Sequence, residues 1–147
     1  MAHVVVSGVR EFNAGLTEMV HRQSAATREA TARLLHMIEA EAKKNLATGS
    51  HRKGEPTTAA PGEPPDLVTG NLRRSVRVTG PDLVGPTAWQ GQTGPTAEYG
   101  RIQELGGVTG AWDSVLPARP YMQPAWEMVR PRIGPTYRAA WAGALHR

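Results

Sequence analysis

From Val9 to Leu46 the chain has no proline, and Phe12, Leu16, Met19, Val20, Ala26, Ala30, Leu34, Met37, Ile38, Ala42 and Leu46 recur at three-and-four spacing. That period lines one face of a helix, so the stretch predicts one long amphipathic helix, or two joined near Asn13-Ala14-Gly15. Ser7 stands where a cap for it would lie. Glu18 with Arg22, Glu29 with Arg33 and Glu39 with Lys43 place acid four residues before base, which supports an exposed helical face without implying chemistry. Roughly 35 residues at about 1.5 Å each make a rod of roughly 50 Å, longer than a domain of this size covers. Part of the apolar stripe is therefore expected to pack on another subunit. Upstream, the β-branched run His3–Val6 reads as a short strand, stopped by Ser7-Gly8.

The periodicity stops at Thr48. Residues 48–66 hold Gly49, Gly54, Pro56, Pro61, Gly62, Pro64 and Pro65 beside the basic cluster His51-Arg52-Lys53. A stretch this long without a pattern is either a solvated linker or an extended flexible arm that orders on a neighbour, since proline lowers the entropy lost on docking. Thr69-Gly70-Asn71 then marks a turn or cap, with room for one helical turn. From Ser75 to Thr79 the period becomes two, a half-buried strand closed by Gly80-Pro81. Asp82-Leu83-Val84-Gly85 begins a second strand that Thr87 to Gln92 can continue, giving an antiparallel meander, and Gly91 to Pro95 reads as a turn. Thr96 to Leu105 fits a short helix capped by Gly106-Gly107, and Val108 to Leu116 a loop or a weak hairpin. Trp112 within it reads equally as core or as an interface anchor. The last element, about Tyr121 to Leu145, carries the face Met122, Trp126, Val129, Ile133, Tyr137, Trp141 and Leu145 and is read mainly as core. Pro131 and Pro135 require a bent helix or two helices. Residues 1–147 are read as a single domain.

Composition narrows this picture. Sixteen glycines and twelve prolines, with 39% hydrophobic but only 5% aromatic residues, leave a modest core, so order is expected to come partly from partners. No cysteine is present, which excludes disulfides and thiolate metal sites. No apolar run approaches the ~20 residues that span a bilayer, and the start lacks a leader pattern, so a soluble, unprocessed protein made in the cytoplasm is expected, with no membrane partner. The acids and bases of residues 1–66 balance, and the formal charge of +4 arises from residues 67–147, where every base is an arginine. Arginine serves protein interfaces as well as phosphate, so the excess does not choose between them.

Candidate chemistry is sparse. His3, His21, His36, His51 and His146 are scattered without a spaced carboxylate partner, which argues against a metal site. Glu98, Glu104 and Asp113 read as surface carboxylates, and Gly91-Gln-Thr-Gly94 lacks the Lys-Ser/Thr of a phosphate loop. With no Gly-x-Ser-x-Gly and no thiol, neither an enzyme nor a cofactor is expected.

Three separated motifs carry a resemblance. Thr69-Gly70-Asn71-Leu72-Arg73-Arg74-Ser75 follows the proline-rich arm and precedes a strand. Tyr99-Gly100 leads to Glu104-Leu105-Gly106, and Arg119-Pro120-Tyr121-Met122-Gln123-Pro124-Ala125 enters the final helix. Their order and spacing resemble the neck, or head-to-tail connector (tail-completion), proteins of long-tailed bacteriophages, with Gly100 where that pattern has Ala and Leu105 where it has an aromatic. The resemblance implies an α+β fold, in which a long N-terminal helix and a bent C-terminal helix pack on a small antiparallel β-sheet. It also implies a structural virion protein at the head-tail junction, forming a homo-oligomeric ring, expected as a hexamer. The ring would lie between a portal-side adaptor or stopper and the tail terminator or tail tube, and double-stranded DNA would pass through it without sequence recognition.

A ring needs one patch on each subunit to meet a different patch on the next. The interface candidates are Phe12 and Leu16 on the long helix, Arg52, Lys53 and Pro56 on the arm, and Arg73, Arg74, Arg77, Trp112, Arg119, Tyr121 and Trp126 beyond it. Because a strongly basic lumen would retain phosphates, most of Arg73, Arg74, Arg77, Arg130, Arg132 and Arg138 are expected to pair with carboxylates of neighbouring subunits or to lie outside the lumen. Two alternatives stand beside this reading: a tail terminator capping the tail tube, and a basic double-stranded-DNA-binding protein.

Overall fold

The proline-free run forms one unbroken helix, α1 (Val9–Asn45), in the computed structural model, which describes residues 7–110 and 114–145. Gly15 does not interrupt it, and Ser7 does not cap it; the helix starts instead from Gly8 at φ +87°, whose carbonyl accepts the Phe12 N–H at 2.9 Å. The strand read at His3–Val6 and the residue Trp112 lie outside the described residues. After the arm come a single helical turn, α2 (Asn71–Ser75), and two paired strands, β1 (Val76–Leu83) and β2 (Trp89–Pro95). Then follow α3 (Gly100–Leu105), the hairpin β3 (Gly107–Thr109) and β4 (Ser114–Leu116), and the bent C-terminal segment of α4 (Met122–Val129), a 3-10 turn (Arg130–Arg132) and α5 (Ile133–Leu145). The fold is α+β, with two small antiparallel sheets in place of the one expected.

The first sheet differs from the expected meander. Gly80-Pro81 does not close a strand: β1 continues across a register shift between Thr79 and Asp82, so Asp82 and Leu83 pair with Gln90 and Trp89. Gly91 to Gly94, read as a turn, lies inside β2. Glycine there answers a crowding problem, because a Cβ on Gly91 would collide with the Leu35 side chain of α1 and sit 3.0 Å from the Thr79 carbonyl.

The core is small and built on α1. Ala42 and Leu46 meet Val76, Tyr121 and Ala125, all fully or almost fully buried, while Ala30, Leu34, Leu35 and Val129 extend the buried face along the helix. The C-terminal helices bury only part of the face the spacing selected: Val129 is 1% exposed and Met122 packs against the core. Ala125 is enclosed, whereas Trp126 and Trp141 are 44% and 42% exposed. Small residues let α4 approach α1 closely, and the indoles are left at the margin. Even so, α5 is tied to α1: Tyr137 Oη lies 2.8 Å from Thr31 Oγ1, and Trp141 Nε1–H donates to Thr27 Oγ1 at 3.0 Å. These two pairs set α5 antiparallel to α1. The bend between α4 and α5 falls at Pro131, as proline requires, while Pro135 sits in the first turn of α5 at no cost to its hydrogen bonding.

Tyr99-Gly100 also acquires a reason. Gly100 is buried, and a Cβ there would stand 2.6 Å and 2.7 Å from Pro95 side-chain carbons and 3.1 Å from Tyr121 Oη. Gly100→Ala therefore lowers stability by about 1–3 kcal/mol although alanine favours helix; chemical denaturation measures it, and an unchanged or raised midpoint contradicts the packing described.

Candidate subunit interface

The arm is not free. Residues 48–66 fold back on their own chain around Asp66, whose Oδ2 accepts hydrogen bonds from Thr57 Oγ1 (2.9 Å), Thr58 N–H (2.8 Å), Thr58 Oγ1 (3.0 Å) and Ala59 N–H (3.2 Å). His51 Nδ1 lies 3.1 Å from the same oxygen. Burial acts to raise the carboxyl pKa; the donors from Thr57, Thr58 and His51 outweigh it and hold the group well below the usual carboxylate range. Gly49 completes the nest, since a Cβ there would collide with the Asp66 carboxylate. A parallel bridge, Ser50 with Leu67, and the Leu67 N–H to Gly49 carbonyl bond at 2.7 Å fasten the base of the loop.

Arg119 locks the other side. Its side chain, 7% exposed, donates from Nη1 to Ala59 O at 2.8 Å and Thr57 Oγ1 at 3.1 Å. Tyr121 is fully buried, its hydroxyl donating to Gly100 O at 3.2 Å, and burial pushes that hydroxyl well above its ordinary pKa, with the charges of Glu104 and Tyr99 acting in the same direction. Both residues were interface candidates, and the structure uses both inside the chain. Glu104, read as a surface carboxylate, accepts the N–H groups of Tyr121, Met122 and Gln123 at 2.8–2.9 Å and so caps α4, three donors that a helix start otherwise leaves unpaired. Glu98 and Glu104 border one hollow of about 480 Å³ beside Pro95 and Leu105, but among the described residues no group of three or more His, Asp or Glu side chains is arranged to hold a metal ion.

The remaining candidates are exposed. Arg52, Lys53 and Pro56 lie on the outer side of the folded arm, and Arg77 on β1. Arg73 donates from Nε to Lys43 O at 3.0 Å, near the C-terminus of α1, where a cation is favoured, and Arg74 donates from Nη2 to Thr69 O and Asn71 Oδ1. Among the described residues the ion pairs are Arg22–Glu18, Lys43–Glu39, Lys44–Glu41 and two that require a protonated histidine, His36–Glu39 and His51–Asp66. None involves an arginine of the second half of the chain.

Phe12 and Leu16 belong to the most unusual surface. Trp89 Nε1–H donates to Ser24 Oγ at 3.0 Å near the end of the first sheet, and the antiparallel pairing of α5 with α1 brings Leu145 to about the same level of the helix. Beyond that level α1 is exposed among the described residues, with Met19 and Val20 bordering a hollow that Thr87 and Trp141 also line. Every residue from Val9 to Val20 is exposed, including Val9 (54%), Phe12 (66%), Leu16 (42%), Met19 (43%) and Val20 (50%). Three turns of helix thus project bare, continuing the same apolar face that the body buries further along.

Comparison of the chain with family models, curated proteins and solved structures finds no match. No described helix is long and apolar enough to cross a membrane.

The arm's closure rests on one carboxylate, and its pH dependence follows. Asp66 has a depressed folded-state pKa, so its contribution is complete above the unfolded value of about 3.9 and is lost progressively as pH falls below it. Asp66→Asn removes a charged acceptor from four donors. Trypsin cleavage after Arg52 and Lys53 is expected to accelerate about tenfold or more at neutral pH, and the stability lost between pH 6 and pH 3 to shrink relative to wild type. Equal cleavage rates in the two proteins rule out the lock.

Proposed function

We propose that the chain is a structural subunit of a bacteriophage neck, assembling into a ring that joins the DNA-filled head to the tail and lets duplex DNA pass, with no catalytic role. The observation that carries this reading is the exposed start of α1: Val9, Phe12, Leu16, Met19 and Val20 on one helix face, of which, among the described residues, only Met19 and Val20 border the body, beside Thr87 and Trp141. The resemblance supports it. Each motif that carries it stands at a junction of the fold, the first opening α2 into β1, the second building α3 against Pro95, and the third entering α4 under Glu104. The arginines with no carboxylate partner among the described residues, including Arg73, Arg74 and Arg77, suit the acids of adjacent subunits or of the flanking neck proteins. A tail terminator at the end of the tail tube uses the same features and differs only in its neighbours.

The same arginines also suit a duplex-binding protein, and salt separates the two. A DNA binder holds duplex as an isolated subunit with an affinity that falls steeply between about 50 and 200 mM salt, whereas a connector binds it weakly at both. In the virion, particles assembled without this protein are expected to contain packaged DNA and to accompany separate, unjoined tails by electron microscopy. Joined, infectious particles in its absence overturn the connector role.

A further inference from the structure

The bare turns of α1 have a counterpart on the body of the molecule. On the side of α1 away from the sheet, α1 and α5 enclose a groove of about 430 Å³, floored by Ala25, Ala26, Ala140, Gly143 and Ala144 and flanked by Arg22 and Arg33. Its floor carries no side chain larger than a methyl group, so bulky side chains of another helix can enter between the two backbones. The geometry points to a helix-in-groove contact between copies: residues 9–20 of α1 on one subunit occupy the α1–α5 groove of the next. This rests on the ring reading above and specifies its interface.

Three observations select a second copy as the occupant. First, α1 forms one wall of the groove and is a single straight element, so its own first turns cannot fold back into it. The projection and the groove are different patches of one molecule, the arrangement that generates a ring when the rotation closes. Second, Val9, Phe12, Leu16 and Met19 recur at three, four and three, the seam spacing of packed helices, and Gln23, Ala26 and Ala30 continue that seam into the body. Knobs end where small residues begin. Third, the charges complement one another: the incoming segment carries Arg10 and Glu11, and the groove offers Glu29 between Arg22 and Arg33. The Arg22 side chain beside the groove is 38% exposed and has only Glu18, at 3.5 Å, as a counter-charge among the described residues, so an incoming carboxylate can pair with its exposed end.

The absence of cysteine makes the test clean. Leu16→Cys and Gly143→Cys are made as separate single variants; Leu16 is exposed, and a Cβ on Gly143 meets nothing within 4 Å, so neither disturbs the fold. After oxidation, each variant alone is expected to remain uncrosslinked, a mixture of the two to give covalent heterodimers, and the double variant to give a ladder of higher species, in purified protein and in assembled particles. Dimers from Leu16→Cys alone would mean that two projections pair with each other, and that overturns the inference. A mixture without heterodimers overturns it too. If the protein nevertheless sediments as an oligomer, the ring stands and only this contact falls; a chain that is monomeric both in solution and in particles removes the ring itself. As an independent check, Gly143→Leu fills the groove from within open space. It is expected to weaken self-association about tenfold or more while leaving the thermal midpoint equal to or above that of wild type, and unaltered association contradicts the docking.

Discussion

The first sheet, α2, α4 and α5 are all positioned by packing on α1, and α1 is longer than what packs on it. Its central and C-terminal turns receive the sheet through Leu35 and Ser24, α4 through Ala42, and α5 through Thr27 and Thr31. A single unbroken helix gives these partners a common axis, which is why the two-stranded β1–β2 sheet, marginal by itself, holds a defined place. The excess length has the opposite effect. It carries a continuation of the core face to a level where the described residues leave it exposed.

Where apolar area is scarce, buried polar anchors organise the loops. Asp66 gathers the proline-rich arm, Arg119 ties that arm to the entry of α4, and Glu104 holds the first turn of α4. The three are neighbours in one assembly: the arm reaches Arg119, the Arg119 N–H reaches Gln103 O, and Gln103 adjoins Glu104. Each anchor satisfies backbone donors or acceptors that a loop would otherwise expose to competition from water. Proline helps here by limiting the conformations the arm loses when it closes. The arm is thus closed by contacts within its own chain, and the start of α1 carries the longest uninterrupted run of exposed helix residues.

The sequence shows its periodic elements plainly. Three-and-four spacing without proline yields α1 with nearly correct ends, and the shift to period two locates β1. It misleads where glycine has two meanings. Gly91 and Gly94 look like turn residues, but Gly91 is small because Leu35 presses on its strand, a fact that belongs to tertiary contact. The inward face of α4 keeps Val129 but takes in Ala125, which shares the core with Ala42, in place of Trp126. Asp66 and Glu104 escape notice for a related cause: a lone acid beside prolines or on a short helix carries no local mark of the backbone N–H groups that converge on it from other segments. Arg119 and Tyr121 are singled out by their motif, yet whether a distinctive residue faces inward or outward is not written in its neighbours.

The energetics of the exposed helix face bear on how the proposed subunit would assemble. Five half-exposed side chains, buried at about 25 cal/mol per Å² of apolar surface, supply on the order of 5 kcal/mol. Bringing two bodies together costs about 4–15 kcal/mol in lost translational and rotational freedom and side-chain ordering. One helix-in-groove contact is therefore close to balance, and two free subunits would part readily. Closing a ring changes the sum, because the last contact joins ends already held near one another and forms at a high effective concentration. A flat partner surface that presents several subunits side by side has the same effect before closure. In the proposed ring, an interface of this strength would favour the complete assembly over stray dimers in solution.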